Sequence, residues 1–89
     1  MPAIVYSIPD CAKCAAAKAV LKRYNVPFQE FDVMADKERA REMVEKRRSA
    51  RAEGSREVQL PVLDIEGIIL EGFDREKIMA ALKEKGLAK

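Results

Sequence analysis

Apolar positions along this chain recur at two periods, which divide it into seven segments. Residues 3–8, "AIVYSI", form a short apolar, β-branched run stopped by Pro9, the pattern of a mostly buried strand. From Cys11 to Tyr24 the spacing becomes helical. Cys14, Ala17, Leu21 and Tyr24 fall on one face, Asn25 suits a left-handed cap, and Pro27 prevents continuation. Residues 28–33, "FQEFDV", set Phe28, Glu30 and Asp32 against Gln29, Phe31 and Val33. The alternation is imperfect, and the segment is read as a strand. Asp36 suits the N-cap of a second helix whose inward face takes Ala40, Met43, Val44 and Arg47. Past Val44 the chain reads "EKRRSARAEGSRE" and offers almost nothing to bury. This helix is expected either to run to Glu53, with Gly54 as its stop, or to fray earlier. Residues 60–65, "LPVLDI", and 68–73, "IILEGF", flank Glu66-Gly67 and predict a hairpin. Asp74 caps a last helix with Ile78, Ala81 and Leu82 inward and Gly86 at its end. The order is β-α-β-α-β-β-α, an α/β class.

Length changes this picture little. Eighty-nine residues make one domain, 1–89, with one modest core and no internal repeat or linker. With 48% hydrophobic and 36% charged residues the composition is that of a soluble globular chain. A net charge of +2 is too small to imply nucleic acid, and the absence of Trp argues against base-stacking platforms. No apolar run approaches the roughly 18 residues that cross a bilayer, and the N-terminus lacks a secretory pattern. A cytoplasmic location, no membrane partner and a monomeric state are the expectations.

Chemistry enters with the two cysteines, Cys11 and Cys14, at the mouth of the first helix. The first turn of a helix presents unpaired N–H groups and the positive end of its dipole, which stabilise a thiolate. Cys11 holds that place, and Cys14 lies one turn further in on the same side. The pair fits a nucleophile and a resolving thiol: Cys11 attacks a disulfide, and Cys14 releases the mixed disulfide. Lys13 is a candidate tuning cation, opposed by Asp10. The alternative that two cysteines at helical spacing are core residues is the weaker one, because a strand-then-helix context favours redox use. Two cysteines without histidine cannot make a four-ligand Cys-and-His zinc site in one chain, so no metal is expected there. A metal or iron–sulfur carrier in which two chains share Cys11 stays open, as does a redox-sensing regulator that binds a partner without turnover.

"VYSIPDCAKC" resembles the opening of glutaredoxins. "NVPFQEFDV", "LPVLDI" and "EGIILEGFDREKI" resemble, in order, the later segments of that family. The resemblance implies a thioredoxin-like fold: a four-stranded mixed sheet with three flanking helices, the first two strands parallel and the last two an antiparallel hairpin. It implies thiol–disulfide oxidoreductase activity on protein or low-molecular-weight disulfides, with no tightly bound cofactor. It implies that Pro61 is cis beside the cysteines and that the Leu60 backbone pairs with the substrate. It also implies that the turn of Gly72, Phe73 and Asp74 offers helix N-terminal amides to a glutathione carboxylate. The ends of the chain also resemble arsenate-reductase-like redox proteins, a runner-up.

Electron donor and partner stay open at this point, between glutathione as co-substrate and thioredoxin reductase. Glutaredoxins usually carry a basic residue where this chain has Ile8, and Glu71 is expected to repel an anionic tripeptide. The likeness extends to small glutaredoxin-like proteins that draw electrons from thioredoxin reductase. The stretch 45–57 carries Lys46, Arg47, Arg48, Arg51 and Arg56. It reads as a docking surface for an acidic partner, as an anion clamp in place of the basic residue missing at position 8, or as a solvated helix end.

Overall fold

In the computed structural model, residues 3–50 and 60–87 are described. The elements are β1 (Ala3–Ser7), α1 (Ala12–Arg23), β2 (Phe28–Asp32), α2 (Lys37–Ala50), β3 (Val62–Ile65), β4 (Ile68–Glu71) and α3 (Arg75–Glu84). The strands form one sheet in the order β2-β1-β3-β4. β1 runs parallel to β2 in the register Val5 to Glu30, and antiparallel to β3 in the register Tyr6 to Val62. β3 and β4 form an antiparallel hairpin. Its turn needs left-handed backbone at both Glu66 (φ 49°) and Gly67 (φ 98°), which explains the glycine. This is the thioredoxin-like α/β fold expected from the sequence.

The alternation of β1 assigns its two faces. Ala3 and Val5 pack with Ala17 and Leu21 of α1, Leu63 and Ile65 of β3, and Ile78, Ala81 and Leu82 of α3. The opposite face holds a smaller cluster of Tyr6, Val62 and Met43, the last from α2. Burying the larger cluster is the main apolar driving force.

α2 departs from the sequence expectation. Val44 is exposed, and Met43 is the buried apolar residue of this helix among those described. Nine of the fourteen α2 residues are charged, and several of these dock the helix. Lys46 Nζ donates to Tyr6 Oη at 2.7 Å and to Asp64 Oδ2 at 2.6 Å. Tyr6 Oη donates to Glu42 Oε2. Arg39 donates to Glu42 Oε1 at 2.8 Å and lies 4.0 Å from the centre of the Phe31 ring. Arg47 Nε donates to Glu71 Oε1 at 2.8 Å. Lys46 and Arg47 of the basic stretch are therefore bound to the sheet within the chain, while Arg48 is exposed. Arg51, Arg56 and the expected end near Gly54 lie outside the described residues.

This docking should be sensitive to acid. The Tyr6 hydroxyl, with Arg39 and Lys46 nearby, holds the Glu42 carboxyl below its ordinary 4.5. A carboxyl depressed by folding contributes stability above its unfolded value and loses it as the pH falls through the folded one. Melting temperatures measured from neutral pH down past 4.5 should fall less steeply in Glu42→Gln than in the parent. Parallel slopes would remove Glu42 from the acid response. No helix among the described residues is long and apolar enough to cross a membrane.

Candidate active site

β1 ends at Ser7, and the chain must turn sharply to start α1. Asp10 makes that turn in left-handed backbone (φ 57°), a conformation that Asp tolerates better than most residues. Cys11 is the N-cap of α1, with extended backbone (φ −105°, ψ 109°). Its sulfur accepts the Cys14 backbone N–H at 3.1 Å, filling the place a Ser or Asp oxygen usually takes. α1 has no acidic residue in its first turn to offset that field. Cys11 is half-buried, and Cys14 is 2% exposed. The two are joined as a disulfide, with 5.2 Å between their Cα atoms, within the usual range for such a bridge. A helical turn thus holds both sulfurs where the bond closes and reopens without moving an element.

The sheet order brings the other sequence-predicted residues to the same end. β1 and β3 are antiparallel with Tyr6 opposite Val62, so the residue before β3, Pro61, lies beside the end of β1. The Leu60–Pro61 peptide is cis, as the resemblance implied. Gly72 N–H donates to the Pro61 carbonyl at 2.8 Å, which ties the end of β4 to the same place. Gly72 is buried with φ 75°, a position that admits glycine at little steric cost. Phe73 is 36% exposed. Asp74 caps α3, accepting the Lys77 N–H at 3.2 Å, two residues after Gly72. Lys13 is exposed on the first turn of α1.

Pairing across the sheet adds residues that the sequence reading missed. On the β2 side of the dithiol lies an open cleft of ≈ 510 Å³, lined by Cys11 and Cys14 and by Ser7, Asp10, Lys18, Glu30 and Asp32 among others. Glu30 Oε2 accepts both Lys18 Nζ at 2.8 Å and Ser7 Oγ at 2.7 Å. The Lys18 bond, then the Ser7 bond, hold the Glu30 carboxyl below its ordinary range. Two signals could have found this group. Lys18 is one turn from Cys14, and Glu30 and Asp32 interrupt the inward alternation of β2 with charge.

Comparison with known proteins agrees with this arrangement. The family model described as Glutaredoxin matches residues 3–68. A glutaredoxin-like 8.6 kDa protein in the rubredoxin operon of Clostridium pasteurianum is 34% identical over 74 residues, covering 83% of this chain and 88% of that protein. Among solved structures, the thioredoxin-like protein BC3987 superposes with a TM-score of 0.69 at 32% identity, covering 90% of this chain and 99% of that one. The glutaredoxin-like NrdH-redoxin from Escherichia coli superposes with a TM-score of 0.62 at 29% identity, covering 90% and 93%. With the family model over residues 3–68, a relative 34% identical across most of the chain, and a Cys-x-x-Cys pair at a helix entry, the chain belongs to the glutaredoxin family.

Proposed function

We propose that this protein is a dithiol–disulfide oxidoreductase that takes electrons from a thioredoxin-reductase-type flavoprotein in preference to glutathione. The observation that carries the exchange chemistry is the Cys14 N–H donated to Cys11 sulfur at the mouth of α1. The same N–H, with the helix dipole behind it, stabilises a Cys11 thiolate in the reduced protein. That thiolate attacks one sulfur of a substrate disulfide. The substrate S–S bond breaks, one thiolate leaves and takes a proton, and a Cys11–substrate mixed disulfide remains. Cys14 then attacks Cys11 sulfur and expels the second substrate thiol. Two electrons have passed to substrate, and the protein holds the Cys11–Cys14 disulfide until the reductase restores the dithiol. The family resemblance assigns the binding of an extended disulfide-bearing peptide to Leu60, Pro61 and the Gly72–Asp74 turn, and the bond from Gly72 N–H to the Pro61 carbonyl supports that reading by tying the two segments together. The cytoplasm is the compartment that supplies such a reductant.

The preference for a reductase rests on charge. Ile8 supplies no cation where glutaredoxins usually hold a glutathione carboxylate. The cleft beside the dithiol carries the carboxylates of Asp10, Glu30 and Asp32 against the ammonium of Lys18. An anionic tripeptide is disfavoured there. Glu71, expected to add repulsion, is paired with Arg47 and contributes less than its position suggests. The E. coli relative is described as having a thioredoxin-like activity profile, which favours the same reading. The test is to follow reduction of the oxidised protein by glutathione and, separately, by thioredoxin reductase with NADPH. Faster reduction by the reductase is expected. Equal or faster reduction by glutathione would overturn the donor assignment, and failure to exchange with any disulfide would overturn the oxidoreductase reading.

A further inference from the structure

The resolving step needs a thiolate at Cys14, and its surroundings oppose one. Cys14 is 2% exposed, so burial favours the neutral thiol. The cleft it lines presents Asp10 from the loop after β1 and Glu30 and Asp32 from β2, all anionic. Unlike Cys11, it lies inside the helix rather than at the N-cap. The cationic side chain among the residues lining the cleft is Lys18. Lys18 is four residues after Cys14 on α1, so the two side chains are neighbours on one helix face. It is also held in place: Glu30 accepts its ammonium at 2.8 Å, and Glu30 is anchored in turn by Ser7, which is itself 3% exposed. Lys22 lies beyond, one further turn along, and adds positive potential at Glu30.

We propose that Lys18 is a positioning residue for the resolving thiol: clamped by Glu30 and Ser7 on the cleft wall, its ammonium supports Cys14 as the thiolate that attacks the mixed disulfide. The assignment rests on the oxidoreductase reading for its purpose but not for its measurement. At the step itself the Cys14 thiolate donates an electron pair to Cys11 sulfur. The Cys11–substrate bond breaks, the Cys11–Cys14 bond forms, and the departing substrate thiolate takes a proton from water in the open cleft. Lys18 changes no bond. It lowers the cost of the negative charge at Cys14 before attack. Glu30 acts in the opposite sense, because it both clamps Lys18 and presents its own charge to the cleft.

The two residues therefore make opposite predictions. In a reduced Cys11→Ser background, Cys14 is the remaining thiol, and its ionisation can be followed by the ultraviolet absorbance of the thiolate. The protein lacking both cysteines serves as the blank. Lys18→Met should move the midpoint up by about one unit, a tenfold loss of thiolate below it. Lys18→Arg should stay close to the parent, and Glu30→Gln should move the midpoint down. Melting curves of each variant check that the fold is kept. An unchanged midpoint in Lys18→Met, or a shift in the same direction for Lys18→Met and Glu30→Gln, would overturn the assignment. The titration uses no disulfide substrate. Opposite shifts in a protein that exchanges no disulfide would sustain Lys18 while removing the proposed function, and active exchange with an unmoved midpoint would do the reverse.

Discussion

Cys11→Ser is expected to reduce disulfide exchange to the uncatalysed background, while Cys14→Ser keeps one attack and then stalls. The difference follows from where the two sulfurs sit. Cys11 is half-buried at the N-cap and receives an N–H bond, so it is the accessible and stabilised sulfur. A serine hydroxyl in its place can cap the helix as well as sulfur does. The variant should therefore fold, and its loss of activity reports chemistry alone. Cys14 is almost fully covered and cannot be the first to meet a protein disulfide. Without it, the Cys11–substrate bond has no internal thiol to break it. Incubating Cys14→Ser with a disulfide substrate and analysing the intact mass should show one trapped adduct per chain, released by added dithiol. Incubating Cys11→Ser should show none. Trapping in Cys11→Ser, or protection of Cys11 in Cys14→Ser, would reverse the assigned roles.

Tyr6→Phe should destabilise the protein by removing one atom. The Tyr6 ring is fully buried, and its hydroxyl joins Glu42 and Lys46 of α2 to the sheet. Phenylalanine keeps the ring contact with Phe31 but removes one hydrogen bond from Glu42 and one from Lys46. Each group keeps another partner, Arg39 for Glu42 and Asp64 for Lys46, so the loss is that of hydrogen bonds to partly exposed charged groups, about 1 kcal/mol. In a domain of this size each kcal/mol lowers the melting temperature by roughly 4–8 °C. The alkaline limb gives a second readout. Burial, then the bond to Glu42, push the Tyr6 hydroxyl up from 10.0 to about 12. An acid raised by folding keeps its proton in the native state after the unfolded chain has lost it. Its contribution is complete below pH 10.0 and disappears as the pH rises toward about 12. Burial works to lower Lys46, but its bonds to Asp64 and Tyr6 outweigh that and raise it above 10.5, so it also loses stability on the alkaline side. Tyr6→Phe should be less stable at neutral pH and show a shallower, not absent, alkaline decline. Equal melting temperatures would mean that α2 docks without this network.

The elements were legible because each carries a local signal. Pro9, Asn25, Pro27, Glu66-Gly67 and Gly86 stop or turn the chain for steric reasons confined to a few bonds, and they bound β1, α1, the β3–β4 hairpin turn and the end of α3. The nucleophile and its partner were legible for the same reason, since a helix entry and a three-residue separation are properties of one segment. The attachment of α2 was not. A pattern that equates burial with apolar side chains reads "EKRR" as surface. It cannot see that Tyr6, Asp64 and Glu71, from three different strands, supply partners for it.

The cleft chemistry was hidden in the same way. Lys18, Ser7 and Glu30 belong to α1, β1 and β2, and the parallel register of β1 with β2 brings them to one carboxylate. Backbone stereochemistry and hydrophobic period act over a few residues, so one segment announces its own helix, turn or thiol pair. Hydrogen bonds and ion pairs between segments depend on strand register and on the face a helix presents, quantities that exist only once the sheet has formed.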